Sequence, residues 1–215
     1  MSDRAEGEKL LQQLTGGVSR ETLERLEAYV ETLRQWQSVK NLVGPETLAH
    51  IWTRHVADSA QLVPHIPPGA RIADLGSGAG LPGLVLACCL EGTGAHVTLV
   101  EANGRKCGFL RAAARAAGVK VTVVNARIED ALAAPDLSVD IVTARALAPL
   151  PELLRLAFPL LAQGAIGLFH KGRDVDEELT DSARYWSIEH ELLPSGTHED
   201  GRLLLIRGCR PRSAA

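Results

Sequence analysis

The sequence predicts an α/β fold: an open, seven-stranded mixed sheet closed by an antiparallel last hairpin and preceded by a helical N-terminal extension. Three observations predict it. From Arg71 onward, short apolar runs alternate with helical patterns, the signature of a parallel sheet. Four glycines fall within residues 76–83, directly after the first of those runs. Before Arg71 the apolar residues recur only at helical spacing.

Residues 1–63 are read as the extension and 64–215 as the α/β domain. Leu10, Leu11 and Leu14 close a first short helix at Gly16-Gly17, and Ser19 can cap the next. Leu23, Leu26, Val30, Leu33 and Trp36 then form one stripe. Residues 41–45 break the pattern, and a third helix carries Leu48, Ile51, Trp52, Val56 and Leu62. Trp36 and Trp52 sit on these stripes and are expected in the core. Arg54 and Asp58, four residues apart, are expected to pair along the helix. Residues 63–69 hold three prolines and form a stiff connector, so the extension is expected to pack on the domain that follows.

The strands are expected at 71–75, 96–100, 119–124, 139–143 and 165–170, with helices near 82–91, 109–117, 151–162 and 175–185 between and after them. The last two strands, about 187–193 and 203–208, are joined by a loop with no room for a crossover helix, so they should pair antiparallel.

Composition narrows the function. Hydrophobic residues make up 46% and charged residues 23%, which excludes a disordered chain. No apolar run approaches the roughly 20 residues of a membrane span. The start, Met1-Ser2-Asp3-Arg4-Ala5-Glu6, is polar and has no signal-peptide core, so a cytoplasmic protein without membrane partners is expected. Cys88, Cys89, Cys107 and Cys209 contain no Cys-x-x-Cys pair, and neither disulfide nor metal is expected. The net charge is −3, yet Arg105, Lys106, Arg111, Arg115, Lys120 and Arg127 cluster against only three acids within 101–130. A local basic face and a salt-bridged solvated face both fit that cluster.

The glycine stretch reads Asp74-Leu75-Gly76-Ser77-Gly78-Ala79-Gly80-Leu81-Pro82-Gly83. Strand, glycine loop and helix start make a Rossmann-like unit whose free N–H groups can approach a ligand. A dinucleotide fingerprint would carry a third glycine where Leu81 stands, and an apolar residue where Asp74 stands. Asp-x-Gly-x-Gly-x-Gly instead resembles the loop of class I S-adenosylmethionine-dependent methyltransferases, whose sheet also ends in an antiparallel hairpin. Ligands in such sheets bind outside the carboxyl ends of the strands. There the chain places Asp74, Glu101 with Ala102, Ile128-Glu129, Arg145 and Lys171. Glu101 can accept ribose hydroxyls, and Ile128 can pack on an adenine ring. His170 is read as a strand-end histidine without special work.

Arg54-His55-Val56-Ala57-Asp58-Ser59, the glycine loop through Leu81-Pro82-Gly83, Arg127-Ile128-Glu129, Thr143-Ala144-Arg145-Ala146 and Lys171-Gly172 together resemble one family, the bacterial small-subunit ribosomal RNA guanine-N7 methyltransferases, also called RsmG or GidB. The resemblance runs from about Trp36 to Lys171. Ala57 departs from it where the family has a larger aliphatic residue, which bears on packing. The resemblance implies transfer of a methyl group from S-adenosylmethionine to N7 of a guanine in 16S rRNA, leaving S-adenosylhomocysteine, with 16S rRNA or the small ribosomal subunit as partner. It implies a cofactor site at Gly76, Leu81, Ile128, Glu129 and Arg145; Ser77, Gly78 and Gly80 belong to the loop, and Asp74, Glu101 and Ala102 join from the strand ends.

Guanine N7 is already a lone-pair acceptor, so no general base is expected. Arg145 and Lys171 are read as positioning cations, with Lys171 chiefly attracting phosphate. A cation beside a cationic cofactor is unfavourable unless an anion intervenes, and RNA is expected to supply it. Rival readings are a methyltransferase of small molecules or proteins, a nicotinamide-dependent oxidoreductase, and a binding module that keeps the fold. A His55–Ser59–Asp58 hydrolase triad lacks an oxyanion hole and is set aside.

Overall fold

The computed structural model describes residues 2–40, 42, 44–133 and 137–212. Asn41 and Val43 of the expected break lie outside them. The chain begins with α1 (Asp3–Thr15) and α2 (Arg20–Lys40), then a short α3 (Pro45–Leu48). The expected third helix is interrupted: residues Trp52–Ala57 are π-helical and pass into α4 (Asp58–Ala60). Apolar spacing alone does not distinguish three- and four-residue steps from the five-residue hydrogen bonds of a π-helical turn. Asp3 anchors that turn, accepting bonds from the Trp52 and Thr53 N–H groups at 2.9 and 3.2 Å. Gly7 lets α1 approach it closely, since a Cβ there would lie 2.5 Å from the Trp52 Cβ.

The α/β part follows as β1 (Arg71–Leu75), α5 (Gly83–Cys89), β2 (His96–Val100), α6 (Gly104–Ala117), β3 (Val121–Val124), α7 (Ile128–Leu132), β4 (Ile141–Arg145), α8 (Leu150–Leu161), β5 (Ile166–Lys171), α9 (Val175–Ser182), β6 (Trp186–Pro194) and β7 (Arg202–Pro211). The sheet order is β3-β2-β1-β4-β5-β7-β6. The first five strands are parallel, and β7 runs antiparallel to both β5 and β6. This is the seven-stranded class I methyltransferase arrangement expected from the sequence. The order reverses between β1 and β4, so their carboxyl ends open the crevice in which such sheets bind ligands.

Several boundaries differ from expectation, and α7 is not among the expected helices; three of the shifts have a local reason. The helix after β2 begins at Gly104 rather than 109, because Asn103 caps it by accepting from the Arg105 and Lys106 N–H groups. Its polar first turn hides that start. β3 begins at Val121 rather than 119, because the Val119 N–H closes the end of α6 on the Ala114 carbonyl. β4 begins at Ile141 and ends at Arg145, two residues later than expected, with Asp140 held by Arg71 ahead of it.

One apolar cluster joins Leu11, Leu26, Tyr29, Val30, Leu33, Trp52 and Val56 to Leu84, Val85, Leu99, Phe109 and Leu110. The N-terminal helices therefore share a core with α5, α6 and one face of the sheet. Trp36 packs edge-on against Phe109 at 5.8 Å. A second cluster, with α8 and Phe169, fills the other face.

Candidate functional site

The glycine loop is shaped by its own backbone. Gly76, Gly78 and Gly80 have φ of 67°, 54° and 84°, the left-handed region that glycine enters without penalty. Gly76 and Ser77 donate to the Val100 carbonyl, which ties the loop to the end of β2. A Cβ at Gly76 would lie 2.6 Å from Leu147 Cδ1, and one at Gly80 2.5 Å from Leu84 Cδ1. At Gly78 the nearest atom would be the Gly76 carbonyl oxygen at 3.7 Å, so this residue marks the open side of the loop. Tyr29 of α2, wholly buried, donates to the Ala79 carbonyl at 2.8 Å. The loop is thus braced from the N-terminal helices, a contact no local motif in the sequence announces.

Asp74 lies beneath the loop with no exposed surface. Its carboxylate accepts from the Thr143 hydroxyl at 3.1 Å and from the Gly83 N–H at 3.2 Å. Burial outweighs these bonds and pushes its pKa up to about 7. Glu101, also buried, accepts from the Gly78 N–H at 2.9 Å and the Asn103 N–H at 2.8 Å. Ala102 beside it is exposed, and Ile128 is half-buried at the start of α7. Glu129 is turned to the surface, where it pairs with Arg155 at 3.1 Å. Its own backbone N–H and Arg155 hold its pKa below the usual carboxylate range.

A cavity of about 630 Å³ opens beside this loop, over the ends of β4 and β5. Of the residues named for the cofactor only Arg145 lines it; Lys171 lines it too. Leu147 joins the two regions, since it lines the cavity and packs on Gly76. Ala146 between them has φ of 51°, the only such non-glycine residue among those described, so the strand end is held in a conformation an L side chain resists. The cavity wall carries five cations, Arg54, Arg145, Lys171, Arg173 and Arg202, against the carboxylates of Asp58, Glu178 and Asp200.

The anions expected from RNA are already in the chain. Arg145 Nε lies 3.2 Å from Asp58 Oδ2, and its Nη2 donates to the Arg54 carbonyl at 2.9 Å. Lys171 pairs with Glu178, and its side chain is only 7% exposed. The phosphate-attracting cation expected at Lys171 thus carries a carboxylate partner of its own, because α9 lays Glu178 on the end of β5. The pairing of Arg54 with Asp58 is overturned. The π-helical turn shifts the phase of the segment, and Asp58 meets β4 instead.

His55 and His170 are both largely buried on the cavity wall. The Thr47 hydroxyl donates to the Gly44 carbonyl at 2.9 Å, so His55 Nε2 is the donor in its 2.9 Å bond to that hydroxyl. His170 Nε2 donates to the Asp58 carbonyl at 2.8 Å. Burial and the Arg145 charge push the His55 pKa down to about 4, and burial lowers that of His170. Both rings are neutral at physiological pH. Ser59 is wholly buried, and His55 bonds to Thr47 and not to it, so no nucleophile–base pair exists there.

The family model described as rRNA small subunit methyltransferase G, GidB, matches residues 22–203. A ribosomal RNA small subunit methyltransferase G of Methylorubrum populi is 52% identical over 190 residues, covering 88% of this chain and 90% of that one. The protein of the same name from Paramagnetospirillum magneticum is 54% identical over 193 residues, covering 89% and 91%. Among solved structures, an O-methyltransferase from Bacillus cereus in complex with SAH superposes with a TM-score of 0.58 at 17% identity, covering 83% of this chain and 90% of that one. An S-adenosylmethionine-dependent methyltransferase from Aquifex aeolicus gives 0.57 at 16% identity, covering 79% and 96%. At such identities these two speak to the fold alone.

Proposed function

The chain belongs to the rRNA small subunit methyltransferase G family, and on that premise we propose that it transfers a methyl group from S-adenosylmethionine to N7 of a guanine in 16S rRNA. The observation that carries the reading is the adjacency at one end of the sheet of two complementary features. One is a glycine loop open at Gly78; the other is a cavity rich in cations, in a protein of net charge −3.

The residues fit the cofactor. Gly76, Ser77, Gly78, Gly80 and Leu81 offer backbone, of the three glycines only Gly78 leaves room for an added atom, and Asp74 supports the loop from below. Glu101 and Ala102 at the end of β2 suit a ribose, Ile128 and Glu129 an adenine, and Arg145 closes the side toward the cavity. When bound, S-adenosylmethionine supplies an electrophilic methyl group on a sulfonium. A guanine N7 carries an available lone pair, so no side chain has to remove a proton first. The protein's part is then alignment and charge. Asp58 offsets Arg145, Glu178 offsets Lys171, and burial keeps His55 and His170 neutral, so a bound sulfonium meets no uncompensated cation in the inner cavity. Arg54 and Arg202 have no carboxylate partner among the described residues, and they suit the phosphates of an RNA strand at the rim. No helix among the described residues is long and apolar enough to cross a membrane, and none of their side chains cluster as a metal site. Membership of the family is what supports a cytoplasmic enzyme acting on RNA or on the assembled small subunit.

The test is transfer of tritium from labelled S-adenosylmethionine to small subunits from cells that lack this gene. Digestion to nucleosides should show the label in 7-methylguanosine. Label in another nucleoside, or none in RNA, overturns the reading.

A further inference from the structure

We propose that Asp58 is a positioning residue for methyl transfer, holding the Arg145 guanidinium plane across the cavity from the N-terminal helices. The proposal rests on the reading of Arg145 as a positioning cation that closes the cofactor site toward the cavity.

Asp58 stands where the π-helical turn passes into α4, and its side chain is 15% exposed. Oδ2 faces Arg145 Nε at 3.2 Å. Oδ1 accepts from the Thr197 hydroxyl and from Gln61 Nε2, both at 2.7 Å. Its carbonyl accepts from His170 at 2.8 Å. Gln61 in turn accepts from the Gly196 N–H at 3.0 Å. One acidic residue therefore gathers the N-terminal helices, β4, β5 and the loop between β6 and β7.

Both contacts that fix Arg145 come from the same short turn, the Arg54 carbonyl and the Asp58 carboxylate. They engage Nη2 and Nε, two nitrogens of one rigid plane, so the orientation of the whole guanidinium follows from them. Nη1 is buried and has no hydrogen-bond partner among the described residues, so no further contact sets that plane. A regular α-helix would place Arg54 and Asp58 on one stripe, free to pair with each other. The π-helical turn sends the carboxylate to β4 instead, and such turns recur at functional sites. Without Asp58 the guanidinium would keep its charge and lose its aim.

The experiment is a double-mutant cycle on single-turnover methylation of small subunits, with Asp58→Asn, Arg145→Lys and the pair. Asn keeps an acceptor for Thr197 and Gln61 but sets an N–H against Arg145 Nε. Misplacement of an aligned group costs up to about 100-fold, so each single variant should slow transfer by about 10- to 100-fold. Because Asp58 acts through Arg145, the pair should be slower than the worse single variant by no more than about threefold. Asp140→Asn disturbs the ion pair with Arg71 at the amino ends of β1 and β4, outside the cavity wall, and should stay within about threefold of wild type. A purely structural Asp58 gives the opposite pattern: losses that multiply, and rates that follow thermal stability in Asp140→Asn as in Asp58→Asn. Multiplying losses, or a wild-type rate in Asp58→Asn, overturn the proposal. Should Asp58→Asn not fold, Asp58→Glu keeps the charge and enters the same cycle, where its loss should vanish in the Arg145→Lys background; multiplication there also overturns it. Wild-type protein that transfers no methyl group to RNA refutes the functional reading itself, a failure distinct from these.

Discussion

Replacing Asp74 with Asn should flatten the pH dependence of stability by an amount the structure sets. The carboxylate is wholly buried, and burial raises its pKa from 3.8 to about 7 despite bonds from Thr143 and Gly83. A carboxyl group whose pKa is higher folded than unfolded gives full stability below the unfolded value, and that stability is lost as pH rises toward the folded one. From 3.8 to about 7, at about 1.4 kcal/mol per pH unit, the loss is about 4 kcal/mol. Asn resembles the protonated acid in shape and has no proton to lose. Urea unfolding of both proteins at pH 4, 5.5, 7 and 8 reads the effect. The stability of Asp74→Asn minus that of wild type should climb by about 3 kcal/mol between pH 4 and 7, rise slightly further by pH 8, and level off above. His55 works with the opposite sign: its lowered pKa removes stability as pH falls from 6.5 to about 4. It is present in both proteins, so the difference cancels it. A difference that stays flat within about 1 kcal/mol would refute the assignment of a raised pKa to Asp74.

Three further substitutions probe the site. Gly78→Ala adds a Cβ on the open side of the loop at a left-handed φ, which costs about 1–2 kcal/mol and leaves the protein folded. Its affinity for S-adenosylhomocysteine should fall at least about tenfold by calorimetry, since one displaced hydrogen bond to the loop is worth about 1.5 kcal/mol; an unchanged value removes the loop from the cofactor site. Tyr29→Phe leaves the buried Ala79 carbonyl without its donor and should cost about 1–3 kcal/mol in urea unfolding, with weaker cofactor binding; a loss below about 0.5 kcal/mol would mean the brace is idle. Arg54→Gln should reduce the slope of log affinity for small-subunit RNA against log salt by about 0.7, one phosphate contact on a single strand, without changing cofactor affinity. A slope equal to wild type would take Arg54 off the RNA path.

The sheet was legible because each strand is a short apolar run and each crossover is punctuated by glycine, proline or a cap. The glycine loop was legible because Gly76, Gly78 and Gly80 need a backbone other residues resist. Edges were less so: the polar turn Gly104-Arg105-Lys106 hid the start of α6, and Val139 read as strand although β4 begins two residues later. The partners of the charged groups were not legible at all. Asp58 and Arg145 stand 87 positions apart in the numbering, and Lys171 meets Glu178 only because α9 folds back on β5. Local spacing suggested Arg54 for Asp58, and the π-helical turn, which no periodicity marks, gave it Arg145 instead.

The central claim is that the cleft between the glycine loop and the β4–β5 cavity methylates guanine N7 in small-subunit RNA. Mass mapping of methylated bases in 16S rRNA tests it most directly, in cells with the gene, without it, and with the Arg145→Lys variant in its place. One 7-methylguanine should be present with the gene, absent without it, and depleted in the variant. An identical map in all three, or the loss of a methyl group from any other base or atom, would contradict the claim.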